Sequence, residues 1–341
     1  MTTTRRIRRS VAVAAAVVAA LVAAACSPRS GTADDRATVT VMLDWTPNTN
    51  HSGIYLAQAK GLYERAGLDV VIVEPSDDGG LPQLAAGNVD IVITVAEQLL
   101  PARAAGVDVV SVAAILAHNT SSLVVPADRG VNRPRDLEGR TYGGFGGELE
   151  KALVDRLVRC DGGDPARVRY VEVGNVDYRI GLERRDYDAV WVFDGWDVIR
   201  LTELEGMKLV RFPFYDPAVA PADRCLPDWY TPIIATSAEV LKERPDVIRA
   251  FLRATSVGYT VADDEPASAA DSLLAAVPEL DPELVRRSAA YLAGRYTDDA
   301  PWGLQRTATW VDFAAFLTAA GLLDAGVDPT AAFTNEYLPG S

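Results

Sequence analysis

Beyond residue 38 the chain alternates short β-branched runs with stretches whose apolar positions recur every three or four residues. Residues 38–43, 68–73, 90–93 and 109–115 read as strands, and 51–66, 81–86 and 97–105 carry the helical period between them. A second series follows Pro126, with strands at 140–142, 168–172, 189–193 and 209–212 separated by helices at 149–159, 178–184 and 197–205. One more strand, 233–236, comes after Pro232. From there the period is helical through Ala320, with Ile248, Phe251, Leu252, Thr255 and Tyr259 on one face. This alternation predicts an α/β protein built from β-α-β units.

Two such series, joined without a long Gly/Ser linker and followed by a helical tail, predict two lobes. Residues 38–125 with 231–341 form the first and 126–230 the second, so the chain crosses twice and finishes on the first lobe. The cleft between the lobes is the expected binding site, and a two-crossing hinge suits capture of a ligand by closure.

The beginning of the chain has a different pattern. Arg5, Arg6, Arg8 and Arg9 precede an Ala/Val/Leu run over 11–25, which reads as a signal peptide over residues 1–25. The small residues Ala23 to Ala25 lead into Cys26 as in a lipobox, although Ala23 stands where leucine is usual, and this predicts a lipid on Cys26. The polar stretch 26–37 reads as a tether. The paired arginines also permit twin-arginine export; general secretion is the first expectation.

With 341 residues, 49% apolar and 23% charged, the chain suits a soluble protein with a sizeable core. Removal of 1–25 with its four arginines deepens the formal charge from −14 to −18, which disfavours nucleic acid and anionic lipid surfaces as partners. After Cys26 only Cys160 and Cys225 remain, too few for a zinc site; one disulfide between them is open. The only histidines are His51 and His118, and no GxSxG, HExxH or Cys-His metal spacing occurs. These absences favour binding without reaction.

Candidate binding residues lie where strands end. A strand ending at Asp44 and a helix starting near Thr49 or Asn50 put the intervening loop at the strand's C-terminal edge, where open α/β sheets bind ligands. There Trp45 offers an apolar plate, and Asn48 and His51 each donate and accept, a set that matches a flat heteroaromatic ring; Tyr55 reads as core. Glu97 and Gln98 lie just past the strand ending at Thr94, and His118 and Asn119 open the first crossing. Gly143, Gly144, Gly146 and Gly147 allow close backbone approach at a helix start, flanked by Tyr142 and Phe145, with Glu150 or Glu148 placed to accept from a ligand amine. No Lys-Ser/Thr follows, so this is not a nucleotide-hydrolysing loop. Asp194 and Trp196 follow the strand that carries Trp191 and Phe193, where a carboxylate accepts from an exocyclic amine while an indole stacks on the ring; Trp191 reads as packing. Tyr230 lies between Pro227 and Pro232 at the second crossing, with Asp228 fixing the turn.

The run Asp44-Trp45-Thr46-Pro47-Asn48 with Gly53-Ile54-Tyr55 resembles the opening of the thiamine-pyrimidine branch of the sulfonate- and nitrate-type solute-binding proteins of ABC importers. YGGFGGELEK (142–151), VWVFDGWDVIRLTELEG (190–206), PDWYTPIIATSAEVL (227–241) and FTNEYLP (333–339) resemble further family segments in the same order, so the likeness spans the mature chain. It implies a type II periplasmic-binding-protein-like fold and a monomeric, lipid-anchored receptor on the outer face of the membrane. Such a receptor passes an aminopyrimidine precursor of thiamine, such as hydroxymethylpyrimidine or formylaminopyrimidine, to a permease and its ATPase, without metal or cofactor.

Three rival functions share this framework. Riboflavin receptors stack a larger ring on similar aromatics. Sulfonate or nitrate receptors call for convergent cations or hydroxyls, whereas the loops here are aromatic, amide and acidic. The thiamine pyrimidine synthases, by the resemblance, use a Schiff-base lysine, a sacrificed histidine four residues later, and clustered cysteines near the second crossing. The matching positions here hold Thr94, Gln98 and the single Cys225.

Overall fold

The computed structural model describes residues 36–340 apart from 77, 78, 175 and 299. The expected signal peptide, Cys26 with its expected lipid, and the tether up to residue 35 lie outside the described residues.

Among the described residues ten strands form three open sheets. β1 (Ala37–Met42), β2 (Leu68–Val73), β3 (Ile91–Thr94), β4 (Val109–Ala114) and β10 (Ile233–Ser237) make a five-stranded sheet in the order β2-β1-β3-β10-β4. β1 runs parallel to both β2 and β3, while β10 lies antiparallel between β3 and β4. The chain leaves this sheet after β4, builds a second lobe, and returns to fill a gap near the middle of the first. In the second lobe β5 (Ser121–Pro126) lies between β8 (Val190–Phe193) and β9 (Leu209–Pro213), antiparallel to both, and β6 (Thr141–Gly144) pairs in parallel with β7 (Arg169–Glu172). The predicted α/β architecture with two lobes is what forms.

Helices α1 (Ser52–Ala59), α2 (Leu62–Arg65), α3 (Gly80–Ala85) and α4 (Ala96–Ala104) belong to the first sheet. Helices α5 (Glu148–Cys160) and α6 (Tyr178–Arg184) belong to the second lobe. The tail is α7 (Ala238–Glu243), α8 (Pro245–Asp264), α9 (Pro266–Ala276), α10 (Pro282–Leu292) and α11 (Thr307–Ala319). The face of α8 read from the sequence is buried in the first core, alongside Ile54 and Leu56 of α1. Between the two helices, a Cβ on Gly258 would fall 2.0 Å from the Gly53 carbonyl oxygen, and one on Gly53 would fall 2.3 Å from the Tyr259 ring. The helices cross with their backbones nearly touching, which only glycine at both positions allows.

Three expectations are corrected. Ser121–Pro126 is a strand, and it pairs with β8 and β9, so the chain has entered the second lobe before residue 126. Only Leu123, Val124 and Val125 are apolar there, a run too short to carry a period. The single helix expected over 51–66 is broken at Gly61, whose φ of +63° ends α1 before α2 begins. The helix expected over 197–205 starts earlier, as wide π-type turns over Asp194–Val198 and Arg200–Leu204.

Cys160 at the end of α5 is bonded to Cys225, just before the second crossing. Among the described residues no helix is long and apolar enough to cross a membrane, and no cluster of three metal-ligating side chains occurs.

Candidate functional site

Because β1 and β3 are parallel neighbours, the segments leaving their C-terminal ends lie side by side: the loop after β1 carries Asp44, Trp45 and Asn48, and the first turn of α4 after β3 carries Glu97 and Gln98. The first loop is fixed from within. The backbone N–H of Asn48 donates to His51 Nδ1 (3.2 Å), which assigns the ring proton to Nε2, and Nε2 donates to Asp44 Oδ1 (2.8 Å). Asn48 Oδ1 accepts from the Asn50 N–H at 2.9 Å, and its Nδ2 donates to the Thr46 carbonyl at 3.0 Å. The tail then grips the loop from outside: the Tyr296 hydroxyl donates to the Thr49 carbonyl (2.6 Å) and the Tyr259 hydroxyl to the Asn50 carbonyl (2.7 Å). The result is a rigid turn on which Trp45 stands 44% exposed.

Across the cleft, the glycine turn of the second lobe holds out Phe145, 50% exposed. The two rings, one from each lobe, meet edge to face at 6.5 Å between centroids with an interplanar angle of 87°. Single exposed apolar side chains are ordinary, but two exposed rings that meet from opposite lobes form an apolar contact on which a flat ring can stack. Gly146 makes the turn possible with φ of +84°.

Glu97 sits in the first turn of α4, partly buried, and its Oε2 accepts from Trp229 Nε1 at 3.1 Å. Burial, with the nearby Asp44 charge adding to it, pushes this carboxyl up to about 8, and the Trp229 and Thr231 donors only partly offset that rise. Gln98 is exposed beside Thr94, whose hydroxyl donates to Gln98 Oε1 at 3.4 Å.

Six predicted binding residues are committed to internal partners instead. His51 is fully buried, and its two ring nitrogens are used within the loop, so it shapes the site rather than lining it. Tyr142 is buried and donates to Glu150 Oε1 at 2.9 Å, while Glu150 Oε2 accepts from the Gly147 N–H at 3.3 Å. The neighbouring glycines answer to the same packing: a Cβ on Gly144 would strike the Glu150 carboxylate and the Tyr142 ring, and one on Gly143 would strike the Tyr187 ring. Burial and the Glu150 charge hold the Tyr142 hydroxyl well above its usual range. Tyr230 is buried, its hydroxyl accepting from the Arg306 N–H at 2.7 Å. Asn119 is buried at the first crossing, with Oδ1 accepting from the Ser121 N–H at 2.7 Å and its own N–H donating to Asp228 Oδ1 at 3.0 Å. Asp194 is buried and paired with Arg211 at 2.8 Å; burial raises its carboxyl against the pull of that cation.

Trp196 is half-buried and packs on the core of the first lobe. Next to it the Gly195 carbonyl accepts from Ser288, which in turn takes the hydroxyl proton of Thr49. This Thr49–Ser288–Gly195 chain links the Trp45 loop to the second lobe. No sequence signal points to it, because Ser288 is one serine in an ordinary amphipathic helix. A second unforeseen cluster lies at the crossings, where His118 meets Asp228 at 2.6 Å, reaches Asp298 at 3.5 Å and stacks on Tyr215 at 4.1 Å. A groove of about 630 Å³ between α5 and α11 is lined by Lys151, Arg159, Leu226 and Phe316 among others, and of the residues named above as ligand acceptors only Glu148 borders it.

Several known proteins resemble this chain. A formylaminopyrimidine-binding protein of Halalkalibacterium halodurans is 27% identical over 322 residues, 92% of this chain and 94% of that protein. A 4-amino-5-hydroxymethyl-2-methylpyrimidine phosphate synthase of Legionella pneumophila is 24% identical over 310 residues, 89% of this chain and 93% of that protein. Among solved structures, the periplasmic aliphatic sulphonate binding protein SsuA of Escherichia coli superposes with a TM-score of 0.66 at 16% identity, covering 86% of this chain and 91% of that one. The fold is therefore that of periplasmic binding proteins. The model of the NMT1/THI5-like family matches residues 48–269, well over half of the chain and including both the Asn48 turn and the Phe145 loop. The chain belongs to the NMT1/THI5-like family.

Proposed function

We propose that this protein is the extracytoplasmic solute-binding component of an ABC importer, holding an aminopyrimidine precursor of thiamine in its cleft without transforming it. The observation that carries this reading is the Trp45–Phe145 pair, two exposed rings from opposite lobes that meet edge to face and, once the lobes part, each offer a stacking face to a planar ring. Asp44, Glu97 and Gln98 supply hydrogen-bonding edges beside it. Closure brings Phe145 onto a ligand first seated on Trp45, and the closed form is what a permease recognises. In this reading the signal peptide and a lipid on Cys26 anchor a monomer to the outer face of the membrane.

The full-length likeness to a formylaminopyrimidine-binding protein supports this ligand class over a sulfonate. Relatives named as synthases set the competing reading. Against it stand Thr94 and Gln98, which the family resemblance aligns with the synthase lysine and histidine, and neither can form a Schiff base or donate an imidazole.

Titration calorimetry with formylaminopyrimidine tests the proposal. Trp45→Ala and Phe145→Ala each weaken binding by about 1–3 kcal/mol, the usual worth of one stacking face. Unaltered affinity in both variants, or formation of a pyrimidine phosphate when the protein is incubated with pyridoxal phosphate, would overturn it.

A further inference from the structure

The lobes also meet at a buried seam, where α10 of the first lobe lies against the π-type turns that follow β8 in the second. Val285, Ala289 and Leu292 sink α10 into the first core, and Ser288 stands among them fully buried. Gly195 lets the second-lobe turn come close: a Cβ there would fall 3.0 Å from Leu292 Cδ2 and 3.1 Å from Tyr291 Cδ1. At the rim of the same seam Arg287 of α10 reaches Glu203 at 2.8 Å.

Hydroxyls on the neighbouring tail helices donate within their own helix, Thr260 to the Ser256 carbonyl at 2.9 Å and Ser272 to the Ser268 carbonyl at 2.8 Å. Ser288 instead sends its proton across the seam to the Gly195 carbonyl. A hydroxyl has one proton, so in the contact between Ser288 and Thr49 the donor is Thr49. The chain therefore runs one way, from Thr49 to Ser288 to Gly195, and its last bond spans the lobes. Thr49 belongs to the turn that presents Trp45, and Tyr296 holds its carbonyl at 2.6 Å.

We propose that Ser288 is a positioning residue of the closed receptor: its hydroxyl ties the Trp45 turn to the second lobe and so sets how long the closed lobes retain a ligand. This role rests on the receptor reading above and adds to it the group that governs release. With the lobes together, deleting the hydroxyl strands the Gly195 carbonyl away from water; with the lobes apart, that carbonyl is hydrated and loses nothing. Thr49 loses its acceptor in either state, which lowers stability without favouring one state over the other. The difference falls on the closed form, and the equilibrium shifts toward the open one.

Stopped-flow fluorescence with formylaminopyrimidine measures association and dissociation separately in wild type, Ser288→Ala and Thr49→Val. In Ser288→Ala dissociation is faster by about tenfold and association is unchanged, because the encounter precedes closure. Thr49→Val leaves the bond between Ser288 and Gly195 in place, so it melts earlier but dissociates more slowly than Ser288→Ala. Ser288→Cys, which fills similar space with a far weaker donor, provides the same comparison should the alanine variant fail to fold. Wild-type dissociation in Ser288→Ala and Ser288→Cys overturns the inference, whether affinity is unchanged or lost through association, and leaves the receptor reading intact. Dissociation from Thr49→Val as fast as from Ser288→Ala also overturns it. Failure of the wild type to bind formylaminopyrimidine or 4-amino-5-hydroxymethyl-2-methylpyrimidine removes the receptor reading and this inference together.

Discussion

His51 shows how one side chain shapes a site without entering it. Its two nitrogens connect the Asn48 N–H to the Asp44 carboxylate across one turn, and the ring is fully buried. Replacing it by alanine strands two polar groups, each costing about 1–3 kcal/mol when buried and unpaired. His51→Ala therefore lowers the melting temperature and also weakens ligand binding, and a variant that melts early yet binds at wild-type affinity would sever the loop from the site. Glu97 acts through its proton. The folded protein holds that proton up to about pH 8, whereas the unfolded chain releases it in the ordinary carboxylate range near 4.5. Across that window the folded state binds more protons than the unfolded state, so stability declines as pH rises and levels off above 8. Melting curves from pH 5 to 9 should show this decline in wild type and a shallower one in Glu97→Gln.

At the scale of elements, the crossing of α1 and α8 is the contact on which the site's geometry depends, because α1 begins where the Asp44–His51 turn ends. Gly258→Ala puts a methyl group against the Gly53 carbonyl and forces the helices apart, at a cost of about 1–3 kcal/mol or more. Urea denaturation should register the loss, and the affinity should fall with it as the turn shifts; a variant of wild-type stability would show that the crossing tolerates separation. The apolar face of α8 was readable in the sequence, since Ile248, Phe251, Leu252, Thr255 and Tyr259 recur with the helical period and are buried as expected. The requirement for glycine at 258 was not, because its cause lies 205 residues away at Gly53. β5 escaped for a local reason, its three apolar residues being too few to show alternation. The exposure of Trp45 and Phe145 was legible from chemistry and strand-edge position. Tyr142, Glu150 and Tyr230 misled, because aromatic and acidic side chains serve internal hydrogen bonds as readily as ligands.

For the whole molecule, alternating strand and helix patterns were enough to predict two lobes and a returning chain, but the identity of long-range ties was beyond their reach. The Cys160–Cys225 bond is one such tie, open in the sequence and formed in the fold, spanning 65 residues. Loss of a bond of that span typically costs about 2–4 kcal/mol. A Cys160→Ser/Cys225→Ser variant should melt like reduced wild type, below the oxidised protein, and equal melting of all three would make the bond dispensable. The insertion of β10 between β3 and β4 imposes a temporal order on folding. The central strand of the first sheet is synthesised after the entire second lobe, and the hydroxyls that clasp the backbone at Thr49 and Asn50 come later still, from Tyr259 and Tyr296. A nascent polypeptide thus carries the Asp44–His51 turn, unclasped, for some 250 residues before both hydroxyls arrive. An incomplete chain has no means of fixing the shape of that turn.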